Sequence, residues 1–194
     1  MNAKREIRAI YNRDTITVYQ AYNKKIADEA IQNGKFGSNY NLDRMTWIKP
    51  SFLWMMYRCG WGSKENQECV LAVDMKRSAF DYLVHNAVMS TYDIGSNISQ
   101  MEWKKLIQKS DIRVQWDPER DIYGNALDYR SIQLGLRGQA IKNYVTDWIV
   151  SISDISKYVK ELKYELSQGN DISDLLPVEK VYPLNFTKLQ SKCK

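Results

Sequence analysis

The chain has 194 residues, 28 Lys and Arg against 23 Asp and Glu, one His and a formal charge of +5. Its 44% hydrophobic and 12% aromatic content is enough for one full core, and its length is short for two. Disorder is excluded as a description of the whole. The longest apolar runs, Phe52 to Tyr57 and Val70 to Val73, fall far short of the roughly 18 residues of a membrane span. The opening Met1 to Asp14 carries charges where a signal peptide has its apolar centre, which predicts a cytoplasmic protein with no membrane partner. Cys59, Cys69 and Cys193, with His85 as the only histidine, fit neither a disulfide framework nor a zinc site, so no metal is expected. The positive excess lies in residues 1–60, with ten Lys and Arg against five acids. That bias fits an anionic ligand, a dinucleotide or a nucleic acid, and equally a solvated basic surface.

In chain order, Ile7, Ala9 and Tyr11, then Ile16 and Val18, alternate with polar residues and predict two short strands around Asn12-Arg13-Asp14. Asn23 as N-cap, Gly34 as stop and the stripe Ile26, Ala27, Ala30 and Ile31 predict a helix. Residues 35–44 read as a loop and Met45 to Lys49 as a strand. Pro50 opens a helix from Ser51 to Arg58 that Gly60 ends. Glu68 to Asp74 reads as a buried strand, Arg77 to His85 as a helix with Phe80, Leu83 and Val84 inward, and 86–98 as irregular chain. Ser99 and Glu102 form a capping box for a helix to Lys109. Ile112 to Trp116 alternates as a strand, Pro118 to Asp128 is turn-rich, and Tyr129 to Leu136 is a strand. A helix over Gly138 to Thr146, a strand over Trp148 to Ile152 and a long helix over Asp154 to Gln168 follow. This irregular order predicts an α+β domain over 1–168 with a mixed or antiparallel split sheet, and an extended, loosely packed arm over 169–194.

Three segments concentrate chemistry. Arg44 to Gly62 packs three Trp and three cations into one stretch. On a strand Trp47 and Lys49 share a face. Lys49, Ser51 and the amides at the helix start could bind a phosphate, while Trp47 and Trp54 could stack a ring. In Arg113 to Asp121, strand alternation puts Arg113, Gln115 and Asp117 on one face, with Glu119 and Arg120 at its end. Such acids are costly to bury unless paired. In Arg130 to Leu136, Arg130, Ile132 and Leu134 share one face and Ser131, Gln133 and Gly135 the other; both are mixed, so one polar group of the strand is expected to point into a cleft.

The strings Ile7-Arg-Ala-Ile-Tyr11, Ile16-Thr-Val-Tyr-Gln-Ala-Tyr22, Arg44 to Arg58, Arg113 to Asp121 and Arg130 to Leu136 resemble the domain-of-unknown-function family 4291. That family imports no activity. Val18 to Gly34 is in addition similar to the opening of small ADP-ribosyltransferase-like domains. Their fold is a split mixed sheet around an NAD cleft. Their pattern has an Arg or His on the first strand, a Ser or Tyr on a middle strand or helix, and a late acid in a Gln-x-Glu or Glu-x-Glu setting. Here Gln20 or Tyr19, or else Arg8, would fill the first place, and Ser51 or Tyr57 the second. Gln115-Trp116-Asp117, or Glu119, would fill the last.

The resemblance implies NAD as cofactor and no metal. Asp117 or Glu119 would hold the ribose and Gln115 would orient the acceptor. Trp47 or Tyr22 would stack the nicotinamide, and Lys49 with Arg8 would meet the pyrophosphate. Tyr19, Gln20, Ser51, Trp54 and Arg58 would complete the cofactor wall; Arg113, Arg120, Arg130 and Gln133 would face the substrate. Two other readings stand beside this one: a single-stranded nucleic-acid binder or RNA-processing module without NAD, and a non-catalytic interaction module whose Trp-rich segment is core. The enzyme reading requires that the Trp47–Lys49 stretch and the acidic corner at Asp117 form one pocket wall.

Overall fold

Period-two burial organises the molecule around two sheets. The computed structural model describes residues 4–183, so Cys193 lies outside the described residues. One sheet is built on a long hairpin, in which β7 (Ile112–Arg120) and β8 (Ala126–Leu136) pair antiparallel with Gln115 opposite Gln133. The other edge of β8 is shared by two short strands, β1 (Lys4–Arg5) in parallel and β4 (Thr46–Ile48) antiparallel, and β6 (Val88–Met89) runs parallel to β7. The second sheet is the antiparallel set β3 (Thr15–Tyr22), β5 (Cys69–Lys76) and β9 (Ile149–Asp154). A small pair joins β2 (Arg8–Ala9) to β10 (Lys180–Val181). The two larger sheets touch where the Tyr19 amide donates to the Lys49 carbonyl at 2.7 Å. A cavity between them is lined by Gln20 and Tyr22 of β3 and by Trp47, Gln115 and Gln133 of the other sheet. The fold is therefore α+β with a curled, mixed sheet.

Alternation on β3 separates two apolar clusters. Ile16 and Val18 join Phe80, Leu83, Val114, Ile132, Leu134 and Tyr144 on one side; Tyr19 joins Phe52, Met55, Met56, Val159 and Ile172 on the other. Each fully buried Leu, Ile or Phe contributes about 1.5–3 kcal/mol, so these clusters dominate the favourable side of folding.

The helices start and stop where their caps stand. Helix α1 (Lys24–Asn33) begins after Asn23, whose side chain accepts from the Ile26 amide, and ends at Gly34 with φ 66°. Helix α2 (Phe52–Cys59) begins after Ser51, whose hydroxyl accepts from the Trp54 amide, and ends at Gly60 with φ 61°. Helix α3 (Arg77–Asn86) buries Phe80, Leu83 and Val84. The capping box of α4 (Gln100–Lys109) is formed in both directions. Helix α5 (Gly138–Asn143) runs into a π turn over Tyr144–Trp148, and α6 (Ser156–Ser167) packs on the second cluster through Val159 and Leu162.

Four local readings change. Strand β7 continues through Pro118 to Arg120, where a turn-rich loop was expected, because Pro118 sits at a register shift that needs no ladder donor. Val88–Met89 forms a strand inside the segment read as irregular. Ile31 is exposed rather than part of the α1 stripe. The described part of the segment after α6 is tied down: Ile172 and Tyr182 are buried, and Tyr182 bonds Ile7, Asp81 and Arg77.

Candidate functional site

A cavity of about 840 Å³ opens between the two sheets. Strand β4 supplies one wall. Ile48 points into the core, so its neighbours Trp47 and Lys49 turn to the cavity. Gly135 lies opposite Trp47 on β8, and a Cβ there would stand 3.1 Å from the Trp47 ring and 2.8 Å from the Met45 sulfur. Glycine is what lets the indole lie across the strand. Helix α2 contributes Trp54, Met55 and Arg58, and Arg44 stands in the loop before β4.

The rest of that wall, on the neighbouring strands β8 and β7 of the same sheet, is polar. Gln115 and Gln133 are cross-strand partners, and each donates its Nε2 to one oxygen of Asp117, at 2.8 and 2.7 Å. Ser90 donates to Gln115 Oε1 at 3.3 Å, which orients that amide. The Asp117 carboxylate is thus held by two neutral amides with no cation within 4.0 Å among the described residues. Gln20, Tyr22, Tyr40 and Thr46, which line the same cavity, belong to a hydrogen-bond network. Tyr144 donates to Gln20 Oε1 at 2.7 Å, and Gln20 donates to the Tyr22 hydroxyl at 2.7 Å. Tyr22, Thr46 and Tyr40 then interlock. Burial pushes the Tyr22, Tyr40 and Tyr144 hydroxyls up, so all three stay neutral.

Lys49 is the anomaly of this site. It is 4% exposed, and its ammonium makes no hydrogen bond or ion pair with a described residue. Burial, reinforced by the Arg58 charge and opposed by Asp117, holds its amine down to about 8.

A second cavity of about 370 Å³ lies across the start of α2, lined by Arg8, Ser51, Glu119, Arg120, Tyr129 and Glu179 among others. Burial pushes Glu119 up. Burial and the charge of Glu119 push Glu179 up to about 8, although Glu179 accepts the Phe52 amide at 2.7 Å. Arg8 is committed elsewhere, donating to Glu6 at 2.7 Å.

The structure therefore divides the residues singled out from sequence. Gln20, Tyr22, Trp47, Lys49, Trp54, Arg58, Gln115, Asp117 and Gln133 line the larger cavity. Arg8, Ser51, Glu119 and Arg120 line the smaller one. Tyr19, Arg113 and Arg130 line neither. Tyr19 is core, edge-on to Phe52 at 5.4 Å, and Arg130 donates to the Trp116 carbonyl as a strand-to-strand tie. Arg113 is half-buried, with its Nε unpartnered. The phosphate cradle expected at the α2 start is already filled, since Ser51 takes the Trp54 amide and Glu179 the Phe52 amide. Residues that spacing does not single out also contribute. Arg44, Tyr40 and Thr46 line the cleft, Tyr144 locks Gln20, and Glu179 completes the smaller cavity. Among the described residues no group of three or more His, Cys, Asp or Glu is placed to hold a metal ion, and no helix is long and apolar enough to cross a membrane.

Fold and site together define an α+β protein with a curled mixed sheet and a deep, aromatic and polar cleft between its halves. The chain belongs to the family described as Domain of unknown function (DUF4291), whose model matches residues 6–182. None of the curated proteins compared with it matches.

Proposed function

We propose that the larger cleft binds NAD or a similar nucleotide and that the domain transfers or hydrolyses its ADP-ribosyl group. The observation that carries this reading is the convergence of Trp47, Lys49, Arg58, Gln115, Asp117 and Gln133 on one cavity of about 840 Å³, within the size range of cofactor pockets. NAD supplies a glycosidic bond to a cationic nicotinamide, which loosens toward an oxocarbenium ion. Asp117 offers a fixed negative charge beside that developing cation, and its two glutamine donors spare it reorganisation. Arg44, Arg58 and Lys49 give the pyrophosphate a cationic wall, and Trp47 gives a ring a flat partner. Gln115 keeps a second amide proton with which to orient an acceptor.

The test is NAD turnover by the wild type, D117N and E119Q. Loss of about 100-fold or more in D117N, with activity retained in E119Q, supports the reading. The reverse pattern moves the chemistry to the smaller cavity, and an inert wild type that does not bind NAD removes the proposal.

A second reading, single-stranded nucleic-acid binding, draws on one observation. Tyr57 is 43% exposed, stacked on the cleft residue Trp54, with the Arg120 guanidinium 4.0 Å from its ring. Salt-dependent RNA binding that Y57A weakens, without any NAD effect, would favour it.

A further inference from the structure

We propose that the Lys49 ε-amine is a covalent carbonyl-binding group, which takes an anionic aldehyde in the cleft as a Schiff base. The inference goes beyond the nucleotide reading and does not require glycosyl transfer. It starts from position. The Lys49 carbonyl is locked to the Tyr19 amide, Ile48 anchors the strand in the core, and the side chain lines the cavity at 4% exposure. An ammonium at the cleft end of so buried a side chain, without a hydrogen-bond or ion-pair partner among the described residues, is desolvated and costly to keep charged.

The groups that act on the amine come from two elements. Arg58 and Cys59 on α2 and Asp117 on β7 are the neighbours that set its charge, and Arg44 and Glu65 stand farther along the same cavity. A lysine desolvated beside another cation is the known way to make an amine nucleophilic near neutral pH. With the amine at about 8, roughly a tenth is neutral at pH 7, about 300-fold more than for an ordinary lysine. The cations Arg44 and Arg58 select for a negatively charged substituent on the aldehyde.

The step balances without oxidant or reductant. The nitrogen lone pair adds to the carbonyl carbon, and the C=O π pair moves to oxygen. The resulting carbinolamine loses that oxygen as water, which carries off two protons that began on the amine. Asp117, which has no described cation within 4.0 Å and so does not touch the amine directly, can take one of them only through an intervening water.

The test uses the full chain with pyridoxal 5′-phosphate as probe, borohydride reduction and peptide mass spectrometry. Lys49 should be modified at least tenfold faster than the exposed Lys24 and Lys157, with a rate midpoint near pH 8. Unphosphorylated pyridoxal should react more slowly at Lys49, and K49R should lose the cleft adduct while keeping a charge. Modification of Lys49 no faster than of Lys24 and Lys157 overturns the proposal, and equal rates with pyridoxal overturn its anionic part. The wild-type rate ratio needs no variant to fold. NAD that neither binds nor protects Lys49 would count against the nucleotide reading and leave the adduct standing.

Discussion

Replacing Glu179 by Gln isolates a proton that the folded chain holds and the unfolded chain does not. In the smaller cavity Glu179 accepts the Phe52 amide at 2.7 Å and shares its surroundings with the buried Glu119. The charged groups around it are Glu119 from β7 and Arg8 from β2; Tyr19 and Tyr129 face it as hydroxyls. Arg8 pairs with Glu6, and among the described residues no cation within 4.0 Å neutralises Glu179. Burial and Glu119 push the carboxyl up to about 8, against about 4.3 in the unfolded chain. Between those values the folded state carries the extra proton. Stability therefore falls as pH rises, by at most about 1.4 kcal/mol per pH unit, and is fully retained below the lower value. Gln keeps the size and the acceptor for Phe52 but cannot ionise. Urea unfolding at fixed ionic strength should give nearly coincident stabilities at pH 4, with E179Q the more stable by about 3–4 kcal/mol at pH 6.5–7.5. A difference that does not change with pH, or a wild type more stable than E179Q at pH 7.5, would refute the reasoning.

Three further outcomes follow from the cleft. K49M removes a buried cation and should stabilise the ligand-free chain by about 3 kcal/mol below pH 8, the free-energy equivalent of lowering the amine from 10.5 to about 8, while abolishing nucleotide affinity. Chemical denaturation and calorimetric titration read the two effects separately. Y144F leaves Gln20 Oε1 without its donor inside the core and should cost about 1–3 kcal/mol in denaturation. G135A forces a Cβ to within 3.1 Å of the Trp47 ring, so the indole must shift; its fluorescence and ligand affinity should change together, with helix content unaltered in circular dichroism.

Local signals carried much of the architecture, because caps and alternation act over a few residues. Asn23, Gly60 and the Ser99–Glu102 pair mark helix ends that the backbone respects, whereas Pro50, read as opening α2, stands just before its cap Ser51. Alternation on β4, β7 and β8 placed Trp47 with Lys49, and Gln115 with Asp117, on single faces. Which face meets which was not local. Thr46 pairs with Leu136, and Tyr144 reaches Gln20 across 124 positions, so no short-range pattern points to either. The same distance hid Glu179, which caps a helix 127 positions earlier and fills the amide that the sequence left open for a phosphate. Pro118 misled for a different reason: proline argues against a strand unless a bulge removes the need for its missing donor, and bulges leave no composition of their own. Arg8 and Lys49 both stood as partners for one pyrophosphate, yet they line separate cavities because the start of α2 lies between them.

The account is tested most directly by a crystal structure of the protein with NAD bound. It expects ordered density in the larger cleft, with the pyrophosphate against Lys49, Arg44 and Arg58 and the nicotinamide ribose at Asp117. An NAD molecule seated instead beside Glu119 and Glu179, or a cleft that stays filled by solvent at saturating NAD, would contradict it.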